Sequence, residues 1–196
     1  MSPAKPRTRT SAAEVRSALL TAGRTILERD GESGLTVRAV AAEAKVAPMG
    51  VYNHFDGRDG LLDALVTDAF VEFGRAVAAT DDDPVARLRN SGRAYREFAM
   101  SNPVIYGLMF SAHCTPEPEA AINAFAVLVD VIRYGQVAGV IMAGDPSDLA
   151  VQAWSAVHGA VSLELAGTHP PQVDAPQSYE KVLDFVARGF APPPRA

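Results

Sequence analysis

Very little in this sequence is chemically reactive. The 196 residues include one cysteine, Cys114, and one tryptophan, Trp154, and aromatic residues make up only 7%. A lone cysteine excludes an internal disulfide and fits a reducing compartment, which predicts a cytoplasmic protein. The N-terminal "MSPAKPRTRTSAAEV" is basic and polar and lacks the apolar centre of a secretory signal. Long hydrophobic runs are missing too. The best candidates are interrupted by Arg133, Gln136 and Gly139, so no membrane span and no membrane partner are expected. No glycine-rich loop is placed to cradle a phosphate. His113 and Cys114 are neighbours whose side chains point apart, and no second pair has metal-ligand spacing. No organised base accompanies Cys114, so nucleophilic catalysis has no support. Asp81, Asp82 and Asp83 read as a solvated helix start. Neither a metal, a cofactor nor an enzyme is expected from these absences.

What is present is uneven charge and abundant helix. The formal net charge is −5, but residues 1–60 hold nine Lys/Arg against seven Asp/Glu, and residues 61–196 hold nine against sixteen. A slightly basic front on an acidic body would offer only one end to a polyanion. Ser11 and Glu14 form a capping box for a first helix, with Val15, Leu19, Ile26 and Leu27 along one face. Thr36 caps a short second helix, with Leu35 and Val40 as a hydrophobic staple. A third starts near Pro48 and runs to Phe55, and Asp56 is expected to cap a fourth reaching Ala79. Asp83, Asn102, Thr115 and Asp145 each precede a proline, predicting helices over 84–101, 103–111, 117–141 and 146–166. Residues 167–177 read as loop, and a last helix is predicted over 177–190. The fold class is therefore all-α, with about nine helices. The divisions are an arm at 1–11, a small three-helix unit at 12–57, a larger helical unit at 58–190 and a tail at 191–196.

The chemistry concentrates in "KVAPMGVYNHFDGRDGLLDAL", residues 45–65. The second and third helices, expected over 36–44 and 47–55, are separated by about two residues, the spacing of a helix-turn-helix whose second helix enters the DNA major groove. Tyr52 and His54 end the third helix, Arg58 begins the fourth, and Thr36 starts the second. Phenol, imidazole, guanidinium and hydroxyl groups all donate to phosphate oxygens, so together they predict a clamp on a DNA backbone. Pro48, Met49 and Asn53 are expected to point outward, and Gly50 to let the backbone approach a surface. Asn53 and Met49 are the candidate base readers, with Lys45 beside them.

These residues resemble the DNA-binding domain of the TetR family of bacterial repressors. The likeness rests on the Thr36 helix start, "VAAEAKVAPMGVYNHF" and "GRDGLLDAL". It implies phosphate contacts by Thr36, Tyr52, His54 and Arg58. Lys45 stands where that family usually has a turn glycine, and Ala47, Met49 and Gly50 also depart from the common pattern. Operator preference therefore does not carry over. Further on, "NPVIYGLMFS" and "AWSAVHGAVSLELAG", with Trp154, His158 and Gly159, resemble the tryptophan-histidine-glycine subgroup of TetR C-terminal domains.

The resemblance implies an all-helical body that binds a small apolar or amphipathic ligand and forms a homodimer. Phe98, Tyr106, Met109, Phe110, Phe125, Val129 and Trp154 are apolar residues from four helices, read either as plain core or as the lining of that pocket. His158, one turn beyond Trp154, is the candidate for a single polar contact. The dimer is expected through the helices at 146–166 and 177–190, on faces carrying Ala150, Ala153, Val157, Val161 and Leu165, then Val182, Leu183, Val186 and Phe190. The reading is a transcriptional regulator, a repressor of a palindromic double-stranded DNA operator. The rival is a small helical enzyme or carrier that uses the same pocket.

Overall fold

The computed structural model describes residues 11–193, so residues 1–10 of the expected arm at 1–11 and the last three residues of the tail lie outside it. Among the described residues there are nine α-helices, one 3-10 turn and no strand. Helices α1 (Ala12–Asp30), α2 (Val37–Glu43) and α3 (Met49–Phe55) form the front. Behind them come α4 (Arg58–Ala76), α5 (Pro84–Ser101), α6 (Pro103–Met109), α7 (Pro118–Val137), α8 (Pro146–Leu165) and α9 (Ala175–Gly189).

The caps explain most of the boundaries. The Ser11 hydroxyl accepts from the Glu14 amide at 3.2 Å, and the Glu14 carboxylate accepts from the Ser11 amide at 2.6 Å. Thr36 caps α2 through the Ala39 amide, Asp83 caps α5, and Asp145 caps α8. Asp174 caps α9, which therefore starts at Ala175, inside the stretch read as loop.

Three expected caps are corrected. Asp56 does not cap α4. Its backbone is left-handed, with φ 56°, and its amide bonds back to Tyr52 O, so it closes α3. Gly57, at φ +107°, then supplies a second turn that side chains rarely adopt. Asn102 does not cap α6; its side chain donates to Phe98 O and accepts from Arg24. Thr115 does not open α7, which starts at Pro118 after Glu117. The 3-10 turn at Glu32–Gly34, between α1 and α2, was also not anticipated.

Helix α4 is the spine. It packs against α1 and α3 in front and against α5, α6 and α7 behind. Gly60 makes the front junction possible, because any side chain there would overlap the Phe55 carbonyl. Leu19, Ile26, Leu27, Leu35, Val40, Val51 and Val66 are fully buried around that junction. The interior divides into two apolar clusters. One runs from the front through α4 to Tyr95, Phe98, Tyr106 and Val161, and the other joins Leu88, Val129, Ile132, Ile141, Leu149 and Val186. One helix, α7, is long and apolar enough to span a membrane by length and composition, against expectation. It lies in the bundle, with Ala120, Ala124, Val129, Val131, Ile132 and Gly135 buried against α4, α5 and α8.

Candidate nucleic-acid interface and ligand cavity

Helix α3 divides its residues cleanly. Val51 and Phe55 are buried at 0% and 7% exposure, while Met49 and Tyr52 stand out at 62% and 54%. Asn53 is exposed on the same side, one turn from Met49. Large apolar surface left outside a helix that has an inner face of its own marks a contact surface. Pro48 is exposed at the N-cap position of α3. His54 is half-buried, its ring tilted beside Phe55 at 6.3 Å. Thr36 is exposed; its hydroxyl oxygen is used in the cap and its proton stays free to donate. Lys45 is exposed in the turn between α2 and α3, with φ 56°, a conformation that costs a side-chain-bearing residue about 1–2 kcal/mol. Arg38, on the outer side of α2, adds an exposed cation with no ion pair among the described residues, and sequence reasoning did not single it out.

Two of the expected DNA-contact residues are placed differently. A side chain at Gly50 would face Val46, Leu19 and Val15 at 3.6–4.0 Å, so this position looks into α1 and not outward. Arg58 is engaged inside the protein. Its Nε donates to Leu35 O at 3.0 Å, Nη2 to Glu32 O at 3.3 Å and to the Glu32 carboxylate at 2.9 Å, and Nη1 to Asp59 at 2.9 Å. That pairing holds the Glu32 carboxyl below its ordinary value. Arg58 thus fixes the loop that presents Thr36 and α2. The signal for it lay in Glu32, a residue that only the 3-10 turn brings within reach.

The second feature is a cavity of about 220 Å³ in the rear unit, at the seam between the two apolar clusters. Phe70 and Phe73 of α4, Val77 just past its end, Leu88 and Tyr95 of α5, and Leu183 and Val186 of α9 form much of its wall. Of the expected lining residues, Phe110, Phe125 and Trp154 are in the wall. Phe98, Tyr106, Met109, Val129 and His158 are not. Phe98 stacks edge-on behind Phe73 at 5.3 Å, and Val129 belongs to the second cluster. Met109 is buried in the first cluster.

Tyr106 and His158 form a polar layer behind the wall. The Tyr95 hydroxyl lies 2.9 Å from the Tyr106 hydroxyl and 2.8 Å from His158 Nδ1, and Trp154 Nε1 donates to Tyr95 at 3.3 Å. The Tyr106 hydroxyl is 3.0 Å from the same nitrogen. Burial pushes both phenols up and the imidazole down. Neutral His158 accepts one phenolic proton at Nδ1, the other phenol donates to its neighbour, and Trp154 completes the set. The four side chains thus bond to one another.

Sequence reasoning missed Arg89 and Ser91, the polar residues of the α5 wall. The one hint was Gly92 in mid-helix. A side chain there would meet Leu183 at 2.5 Å, so α5 and α9 approach closely.

Comparison with known proteins agrees with this layout. Residues 19–65 match the model for bacterial regulatory proteins of the tetR family, and residues 88–186 match a tetracyclin repressor-like C-terminal domain. An HTH-type transcriptional regulator of Mycobacterium tuberculosis, Rv0681, is 30% identical over 161 residues, covering 78% of this chain and 71% of that one. A second from the same species, Rv1816, is 26% identical over 193 residues, covering 80% and 82%. A solved protein of unknown function from Rhodococcus sp. RHA1 superposes with a TM-score of 0.80 at 28% identity, covering 96% of this chain and all of that one. A TetR-family regulator from Pectobacterium atrosepticum shares the fold at a TM-score of 0.75 and 23% identity, with 96% and 100% covered. An outward-facing α3 on a helix-turn-helix front, joined by one spine to an all-helical rear, thus places the chain in the TetR family of DNA-binding transcriptional regulators.

Proposed function

We propose that the protein works in the cytoplasm as a homodimeric repressor of a near-palindromic operator and is released by a small apolar or amphipathic molecule. Residues 12–57 serve as the DNA-reading head and residues 58–190 as the ligand-binding and dimerising body. The observation that carries this reading is the outer face of α3, where Met49, Tyr52 and Asn53 are presented together beside Lys45 and Thr36. Asn53 can pair with an adenine edge and Met49 can rest on a thymine methyl. Tyr52, Thr36 and His54 donate to phosphates, with Pro48 shaping the start of the helix. An enzyme or carrier has no use for exposed Met49 and Tyr52 on a part of the molecule that does not border the cavity.

The dimer face we assign is not the one the apolar periodicity suggested. Ala150, Ala153, Val157, Val161, Leu183, Val186 and Phe190 are buried within one chain, and Leu165 and Val182 are half-buried. Val151, Leu163 and Phe185 stand on the outer sides of α8 and α9, at 46%, 54% and 66% exposure, and Gly159 has open space before it. Two such helices from each protomer would form a four-helix interface about a two-fold axis.

Selecting bound fragments from a random DNA pool tests this reading. Two inverted half-sites about one helical turn apart should be enriched. Tyr52→Phe should weaken every sequence alike by about 1 kcal/mol. Phe185→Glu should yield monomers by sedimentation and abolish operator binding. A pool with no enriched sequence, or an enriched site with no inverted repeat, would overturn it.

A further inference from the structure

Most of the cavity wall is carbon, which makes its polar exceptions informative. Four polar side chains border it: Arg89, Ser91, Tyr95 and Trp154. Three of them are engaged elsewhere. Tyr95 and Trp154 bond to each other and to the layer behind. The Arg89 guanidinium pairs with Asp184, and both side chains stand partly in solvent. Ser91 is the exception. It is only 4% exposed, and it falls on the face of α5 that carries Leu88, Gly92 and Tyr95, all of which line the cavity. A hydroxyl inside a helix ordinarily turns back to the carbonyl four residues earlier. Thr25, Thr67 and Ser155 do so here, at 3.0, 2.8 and 2.7 Å. The Ser91 hydroxyl makes no such bond and has no other partner among the described residues. Nor is it sealed in protein, because among those residues the only side-chain nitrogen or oxygen both enclosed and partnerless is Arg89 Nε. Ser91 Oγ therefore meets open space, and the open space on its face of α5 is the cavity.

A hydroxyl that faces apolar space without a partner is costly, and native proteins almost always supply one. A serine oxygen both donates and accepts, so an alcohol or a carbonyl oxygen would satisfy it. A charged group would fare worse. An ionised carboxylate or ammonium drawn in among these side chains would give up its water for one neutral hydroxyl. Size sets the rest. A dry cavity of about 150 Å³ accepts benzene. A space of about 220 Å³ has room for one ring and a short chain.

We propose that Ser91 is the polar anchor of the cavity, and that the space receives a neutral, largely apolar molecule of about one ring plus a short chain whose single hydroxyl or carbonyl oxygen hydrogen-bonds to Ser91 Oγ. This rests on the ligand-controlled regulator reading and names the class of ligand. The carbon walls hold any apolar molecule of this size, and the hydroxyl selects those that carry an oxygen.

The probes are butylbenzene, butyrophenone and phenylbutyrate, which share a carbon skeleton and carry no oxygen, a ketone or a carboxylate. Each is titrated calorimetrically into the full chain and into Ser91→Ala. The ketone is better hydrated than the hydrocarbon, so the readout is the ratio of their affinities, compared between the two chains. Ser91→Ala should weaken butyrophenone about fivefold, the value of one hydrogen bond, and leave butylbenzene within about twofold. Phenylbutyrate should be the weakest probe for the parent chain. Free of any probe, Ser91→Ala should melt no lower than the parent, because the hydroxyl it removes bonds to nothing in the protein. A ketone-to-hydrocarbon ratio that Ser91→Ala leaves unchanged, phenylbutyrate as the tightest probe, a lower melting temperature of the probe-free variant, or no binding of either neutral probe would each overturn the proposal. The titrations use no DNA, so their failure would leave the outcome of operator selection untouched, and the reverse also holds.

Discussion

Leu27 and Leu128 sit on helices of similar length but in two different kinds of interior. Leu27, in the front, is fully buried against the α4 junction. Leu128, in the rear, is half-buried and borders empty space. The front closes its core completely and leaves Met49 and Tyr52 outside. The rear leaves apolar side chains outside as well, Val151, Leu163 and Phe185 among them, but it also leaves a gap inside, where two apolar clusters meet without merging. A part that must hold a rigid shape against a partner has no use for internal space. A part that must answer a small molecule cannot do without it. The same helix-forming residues serve both ends, and the arrangement of the clusters sets them apart.

The sharpest way to break this contrast is to truncate both leucines. Leu27→Ala should cost about 2–5 kcal/mol in denaturant unfolding, because a cavity opens in a closed core. Leu128→Ala should cost less than about 2 kcal/mol, since the side chain is only half-buried and little new cavity forms. Equal losses would mean that the two interiors are packed alike. Next in size are two changes that should stabilise. Ala121→Leu, on the cavity wall, should gain about 1 kcal/mol by burying apolar surface. Lys45→Gly should gain about 1–2 kcal/mol by relieving the left-handed backbone. It should also flatten the salt dependence of operator binding by about one unit, as one cation is lost from the interface. A stabilised variant with undiminished DNA affinity would separate Lys45 from the contact surface.

The smallest effect concerns His158. Its imidazole is pushed below the ordinary value of 6.5 by burial, so the unfolded chain takes up the proton first as pH falls. The stability linked to it is complete above that value, declines as pH drops below it, and levels off once the folded-state pKa is passed. His158→Gln should remove that part of the acid-side decline in a pH series of melting temperatures. An unchanged profile would show that the polar layer behind the cavity does not hold a neutral histidine.

Much of the layout was legible because local chemistry sets it. Ser11, Thr36, Asp83 and Asp145 cap because the amides they satisfy lie within three residues. Asp56, Asn102 and Thr115 look the same on paper, but Asp56 answers to the turn it sits in and the other two to distant partners. The left-handed turn commits Asp56 to α3, Arg24 of α1 takes Asn102, and the Asp63 carboxylate on α4 accepts from the Thr115 amide. The cavity was legible in part for the same reason. Periodicity identifies Phe110, Phe125 and Trp154 as apolar and inward, but only the packing of α5 against α9 reveals that Arg89 shares a wall with them. On α8 and α9 the stripe most regular in sequence was claimed by the chain's own core. The less regular Val151, Leu163 and Phe185 were left on the outside.

The 19-residue spine α4 has a mechanical consequence. At about 1.5 Å per residue it is about 28 Å long, so a tilt of roughly five degrees at its rear end carries its front end through about 2.5 Å. Gly60 seats α3 directly against the first turn of α4, and Arg58 ties that turn to the start of α2, so the front has little slack in which to absorb the motion. In a symmetric pair the two fronts swing in opposite senses, and their separation changes by about 5 Å against a half-site spacing of about 34 Å. The tolerance of a single hydrogen bond is a few tenths of an ångström. In the proposed switch the spine would act as a lever, turning a small tilt at the rear into a displacement at the front larger than a hydrogen bond tolerates.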